Sequence, residues 1–306
     1  MASDRASVLA APTGRWQRRL LALLFFASGA AGLIDQVAWL RYLSLVFGNT
    51  TLATATLLAV FMAGLGLGAL LFGRLADRTP RPLTIYALLE VGVGLFAIVS
   101  PQFFDGMDAV YVAVHRGAGG EPWAFALLRI ALAAICLLPP TLLMGGTLPL
   151  VVRALRRPDG EPDATAGSEP HDAVIPQTSR LGRDTALLYG ANTLGAVCGV
   201  AGAGFLTIPL FGLRASLLLS AALNFVAALG ALALAARGRH AGPLESLTSL
   251  ASLAPTPTPA PAAAATPRPR RDRRARILLL AAVLMGATSL AFEVLWTRIL
   301  VFYLGS

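Results

Sequence analysis

The feature that most constrains this chain is the recurrence of apolar runs of about 20 residues, the length a helix needs to cross roughly 30 Å of hydrocarbon. Seven such stretches can be read, at about 20–47, 51–73, 83–101, 123–152, 184–209, 213–236 and 277–304. Lipid offers no partner to a backbone N–H or C=O, so each run must bond internally as a helix rather than as open sheet. Composition agrees: 56% of the 306 residues are hydrophobic and 13% are charged. A soluble domain carries about twice that charged fraction. The fold class expected is all-α, a polytopic membrane bundle.

The net charge of +9 would suit a polyanion partner if it were gathered on one surface. It is not. Every one of the 25 basic residues is arginine, and most lie in the short stretches between apolar runs. The N-terminal arm, 74–82, 153–183 and 237–276 together hold twenty arginines, against Arg116 and Arg214 in the alternate stretches. That asymmetry is the positive-inside pattern. It places the N-terminus in the cytoplasm, makes the lipid bilayer the main partner, and argues against nucleic acid. Cys136 and Cys198 fall inside apolar runs and read as small buried side chains. His115, His171 and His240 are scattered without ligand spacing, so no metal or cofactor is expected.

The chain repeats itself. Gly29–Asn49 aligns with Gly286–Ser306 at a constant offset of 257, matching Val37 with Val294, Trp39 with Trp296, Arg41 with Arg298 and Gly48 with Gly305. Six runs separate the copies, so both point the same way, as in a parallel repeat of six-helix halves. The expected division is a cytoplasmic arm (1–19), a six-helix domain (20–236), a linker (237–276) and the first helix of a second half (277–306). The second half is expected to continue beyond Ser306. The linker, with its Pro-Thr repeats, alanine run and arginine cluster, predicts no packed core.

Small residues recur every fourth position at Gly64 and Gly68, and at Ala191, Gly195, Gly199 and Ala203. Such stripes let a second helix approach closely. The glycine-rich run 64–68 lies inside an apolar helix and so does not suit a nucleotide. Pro139, Pro140 and Pro149 predict a kink or break in the fourth run.

Charges inside membrane spans are costly and so point to function. The candidate polar site comprises Asp35, Gln36, Glu90, Arg129, Asn192 and Glu293. Counted at 1.5 Å per residue, Asp35, Gln36, Arg129 and Glu293 share one depth and Glu90 lies nearer the cytoplasm. The expectation is a polar cavity between the halves lined by Asp35, Glu90 and Glu293, with Arg129 as counter-charge. The plainer alternative is an Asp35–Arg129 pair that only holds helices in register.

Gly73, Asp77, Arg78 and Arg81, between the second and third runs, resemble the cytoplasmic loop signature of the major facilitator superfamily, with Pro80 where that signature has glycine. Further elements are Ser28-Gly29-Ala30 leading to Gln36-Val37-Ala38-Trp39-Leu40-Arg41, Phe61 to Gly68, Leu143 to Leu150 and Tyr189 to Ala196. In this order they resemble the membrane region of bacterial proteins that fuse a facilitator-like bundle to a spermidine synthase. The resemblance implies a bacterial cytoplasmic membrane location and an aminopropyltransferase domain C-terminal to Ser306. It also implies that the acidic residues suit a cationic polyamine as solute. A stand-alone facilitator transporter and a non-transporting membrane anchor are the alternatives. No catalytic motif lies within these residues.

Overall fold

The computed structural model describes residues 15–47, 50–117, 122–155 and 176–240, together with helical positions scattered between 277 and 299. Residues 1–14 of the N-terminal arm, most of the linker and Arg298 lie outside the described residues, and the rest of the arm is the start of α1. Residues Met1–Gly238 and Arg239–Ser306 form two compact units, and each is described by itself. Apart from the short turn 79–81, every described residue is helical, and no strand occurs among them.

The first unit contains α1 (Arg15–Phe47), α2 (Thr50–Arg78), α3 (Pro82–Gly117), α4 (Pro122–Leu155), α5 (Pro176–Gly202) and α6 (Ile208–His240). A π-helical turn, Ala203–Thr207, joins the last two. Among the described residues, five stretches are long and apolar enough to cross a membrane, the fifth being Gly182–Arg237. At 56 residues, that fifth stretch would measure about 84 Å as one rod, far more than a bilayer. It is not one rod. Gly212, at φ 83° and ψ 175°, breaks the helical path in a backbone region that only glycine enters without strain.

Contacts with α1 show that the chain reverses there. On α5, Asp184 meets Arg18 and Gly195 meets Phe26, so α5 runs parallel to α1. On α6, Ser220 meets Ala31, Gly230 meets Leu24 and Arg237 lies over the Trp16 ring, so α6 runs antiparallel to α1. The Ser216 hydroxyl bonds the Thr207 hydroxyl at 3.0 Å across the bend. The break expected between 209 and 213 is therefore real.

Both small-residue stripes lie at close helix contacts. A Cβ added at Gly195 would sit 2.0 Å from the Phe26 carbonyl oxygen, and one at Gly199 would sit 2.3 Å from that of Ala30. Gly64 and Gly68 do the same for α2 against Thr141 and Leu142 of α4, and Gly145 of α4 returns the contact against Leu65. Backbones brought this near gain dispersion contacts along their whole length, the main attraction available between helices in lipid.

Two expectations need correction. α4 runs unbroken through Pro139, Pro140 and Pro149. Beside the proline pair, the Thr141 hydroxyl adds bonds to the carbonyls of Leu137 and Leu138, at 2.8 and 3.1 Å. Helix ends also overrun the apolar runs: α3 continues past 101, through Pro101, to Gly117.

The exterior is apolar and the interior is partly polar. Phe205, Leu45 and Ile135 are 88%, 74% and 73% exposed, whereas Asp35, Glu90, Ser100, Thr141, Ser216, Ser220 and Asn224 are buried. A chain folded against water would bury the first set, so the surrounding solvent of this unit is lipid.

Candidate functional site

One set of buried polar groups lies along the seam where α1, α3 and α6 meet. On α1, Ser28 and Asp35 are seven residues apart and so share a face. On α3, Tyr86 and Glu90 are four apart. On α6, Ser216, Ser220 and Asn224 repeat at the same spacing, and all three are buried. Asp35, at 0% exposure, and Glu90, at 1%, are sealed from the surface.

Their bonding is incomplete. The Ser28 hydroxyl donates to Glu90 Oε1 at 2.7 Å, joining α1 to α3. The Tyr86 hydroxyl lies beside both groups but completes no hydrogen bond. Ser220 lies beside the Asp35 carboxyl, yet its hydroxyl donates to the Ala31 carbonyl at 3.1 Å. Both Asp35 carboxyl oxygens are left without a hydrogen-bond partner, as is Nδ2 of Asn224. Asn224 packs against Gly94, one turn beyond Glu90, where an added Cβ would come within 3.3 Å of the asparagine Cβ. Each such orphaned polar group costs about 1–3 kcal/mol when buried.

Arg129 does not neutralise this site. Its guanidinium donates to the Tyr111 hydroxyl and lies 5.8 Å from the centre of the Phe47 ring. Phe47 is twelve residues beyond Asp35, about 18 Å along α1. The shared depth expected for Asp35 and Arg129 is therefore wrong, and the pair in either of its expected roles does not form. The error came from treating helix ends as membrane edges. α3 alone, at 36 residues, is about 54 Å long and must project beyond the hydrocarbon.

The other expected residues divide clearly. Asn192 Nδ2 donates to the Phe25 carbonyl at 3.1 Å and its backbone packs on Gly29, so it cross-links α5 to α1. Gln36 is half-buried, one residue past Asp35. Glu293 is exposed on the helical stretch of the second unit. In the first unit Asp35 and Glu90 are enclosed by helices and do not face an open cavity.

At the α2–α3 turn, Asp77, Arg78 and Arg81 are exposed and Gly73 is half-buried. The turn is closed by the Thr79 N–H donating to the Leu75 carbonyl at 3.0 Å and by the Arg81 N–H donating to the Thr79 hydroxyl at 3.1 Å. The N-terminal ends of α1 and α5 are joined by the Arg18–Asp184 ion pair at 3.0 Å. Toward the C-terminal end of α1, Trp39 Nε1 donates to Ser100 Oγ at 3.1 Å, and the indole meets Phe96 edge-on at 5.7 Å.

Ser28, Tyr86, Ser220 and Asn224 were not among the residues expected to form the site. The available signal was the four-residue spacing of Ser216, Ser220 and Asn224 within an apolar run.

No family model, curated protein or solved structure matches this chain.

Proposed function

We propose that this chain is the membrane region of a facilitator-like carrier joined to a spermidine-synthase-like enzyme, and that it moves a small cationic solute of the polyamine class. The observation that carries the reading is the pair of buried carboxyl groups, Asp35 and Glu90, inside a lipid-facing bundle with no basic side chain beside them among the described residues. An acidic interior without a resident counter-charge favours a cation as passenger.

Helix directions support a facilitator-like half. α5 lies parallel to α1, α4 parallel to α2, and α6 antiparallel to α1, with glycine-lined contacts between the parallel pairs. The parallel repeat at offset 257 supports a second half of the same kind. In this reading the arginine-rich stretches face the cytoplasm, and the turn bearing Asp77, Arg78 and Arg81 regulates alternation from that side.

Uptake of radiolabelled spermidine by liposomes carrying the full-length protein tests the proposal. Saturable uptake is expected, with Glu90→Gln lowering it about tenfold or more while insertion is unchanged. Equal spermidine entry into protein-free liposomes would reject transport and leave the bundle as an anchor for an enzyme.

A further inference from the structure

At the N-terminal end of α1, an apolar strip of the exterior is bordered by cations from three helices. Around α1, Phe26 and Ala30 meet α5, while Leu24 and Ala31 meet α6. Between these two contact lines runs an outward strip that carries Trp16, Arg19 and Leu23, all exposed. The Arg237 guanidinium of α6 reaches over the strip and sits 5.3 Å from the centre of the Trp16 ring. Arg19, three residues beyond Trp16, stands about 4.5 Å further along α1 on the other side of that ring. On α5, the exposed Arg183 adjoins Asp184, whose carboxylate is 3.0 Å from Arg18, so Arg183 shares this level.

The ends of α1, α5 and α6 that meet here hold one described acidic residue, Asp184, and it is committed to Arg18. Toward the middle of the bundle the strip turns apolar. Leu23 is 65% exposed, and Leu229 of α6 is exposed beside it, because the neighbouring Gly230 packs on Leu24. Leu23 lies seven residues, about 10 Å, from Trp16 along α1. A headgroup layer is about 5–8 Å deep on each side of the hydrocarbon. A molecule with its charge at Trp16 therefore has its tail at Leu23. The Arg237–Trp16 contact alone would tie α1 to α6, but it accounts neither for Arg19 and Arg183 nor for the apolar bed left open. Charge selects the occupant: arginines without a carboxylate, above exposed leucines, complement a phosphate monoanion carried on acyl chains.

We infer that Arg19, Arg183 and Arg237, set around Trp16, form a headgroup site for an anionic phospholipid whose acyl chains lie on Leu23 and Leu229 between α5 and α6. Binding needs only N–H donation from the guanidinium groups to phosphate oxygens. The site is independent of which solute the bundle carries, or whether it carries one.

The test uses the whole chain in phosphatidylcholine nanodiscs and reads Trp16 emission as the difference between wild type and Trp16→Phe. Phosphatidylglycerol with brominated acyl chains should quench that emission at about one-fifth the mole fraction that brominated phosphatidylcholine requires, or less. Arg237→Gln should remove most of this preference. Arg19→Gln and Arg183→Gln, both at exposed positions, should each weaken it about fivefold, and they keep the test open should Arg237→Gln fail to fold. Arg78→Gln and Arg81→Gln, in the α2–α3 turn, serve as controls and should leave the preference unchanged. Equal quenching by the two lipids in the wild type overturns the inference, whether the strip is then covered by protein or by lipid of any charge. So does an equal loss in the control variants, which would make the attraction a property of the whole basic surface. A preference that survives all three site variants reduces the Arg237–Trp16 contact to a tie between helices and likewise overturns it.

Discussion

Trp39 shows how a single side chain can join two helices where lipid gives no hydrophobic push. Its indole is fully buried, donates to Ser100 and rests edge-on against Phe96 of α3. Ser100 also donates to the Ala97 carbonyl at 2.9 Å, so it remains satisfied as a donor if the indole is removed. Trp39→Phe should therefore keep the fold and lower stability by about 1–2 kcal/mol, one hydrogen bond plus a small void. Thermal denaturation in detergent would register this as a lower midpoint. A double-mutant cycle with Ser100→Ala should return a coupling of about 0.5–1.5 kcal/mol. Additive effects would mean the bond contributes nothing. At this scale the sequence was only partly legible. Asp35 and Glu90 stand out because ionisable residues are rare in apolar runs. Their hydroxyl and amide neighbours do not, since Ser28, Ser220 and Asn224 are ordinary residues until packing places them.

Packing of the helices depends on glycine stripes, and two glycines separate contact from exposure. A Cβ at Gly195 would meet the Phe26 carbonyl at 2.0 Å, whereas one at Gly66 would meet nothing within 4 Å. Gly195→Leu should force α5 from α1 and cost several kcal/mol, seen as loss of monodisperse protein on gel filtration. Gly66→Leu should be neutral or slightly stabilising, because leucine is the better helix former and the site faces outward. Equal behaviour of the two variants would contradict the assignment of α5 and α1 as a close-packed pair. The stripes themselves were readable, being spaced at four residues. Their partners were not. A helix apolar all round carries no pattern that says which face meets protein and which meets lipid. The same blindness hid the depth of Arg129, whose position is fixed by Phe47 and Tyr111 on neighbouring helices. Of the kink or break expected at the prolines, the break does not occur: Pro139 and Pro140 lie within a continuous α4.

For the first unit as a whole, the arrangement follows from its solvent: large apolar side chains on the exterior as well as in the core, and buried polar groups only inside, in helices long enough to span hydrocarbon. That architecture was legible from run lengths and from the low charged fraction. The reversal at Gly212 decides whether the first unit crosses six times or five. Reporter fusions placed in the 79–81 turn, in the 118–121 segment and directly after Arg237 measure this most directly, using one reporter active only in the cytoplasm and another active only outside it. Six crossings with a cytoplasmic N-terminus put 79–81 and 237 together inside and 118–121 outside. Position 237 reporting from the side opposite to 79–81, or all three positions reporting from the same side, would contradict the account.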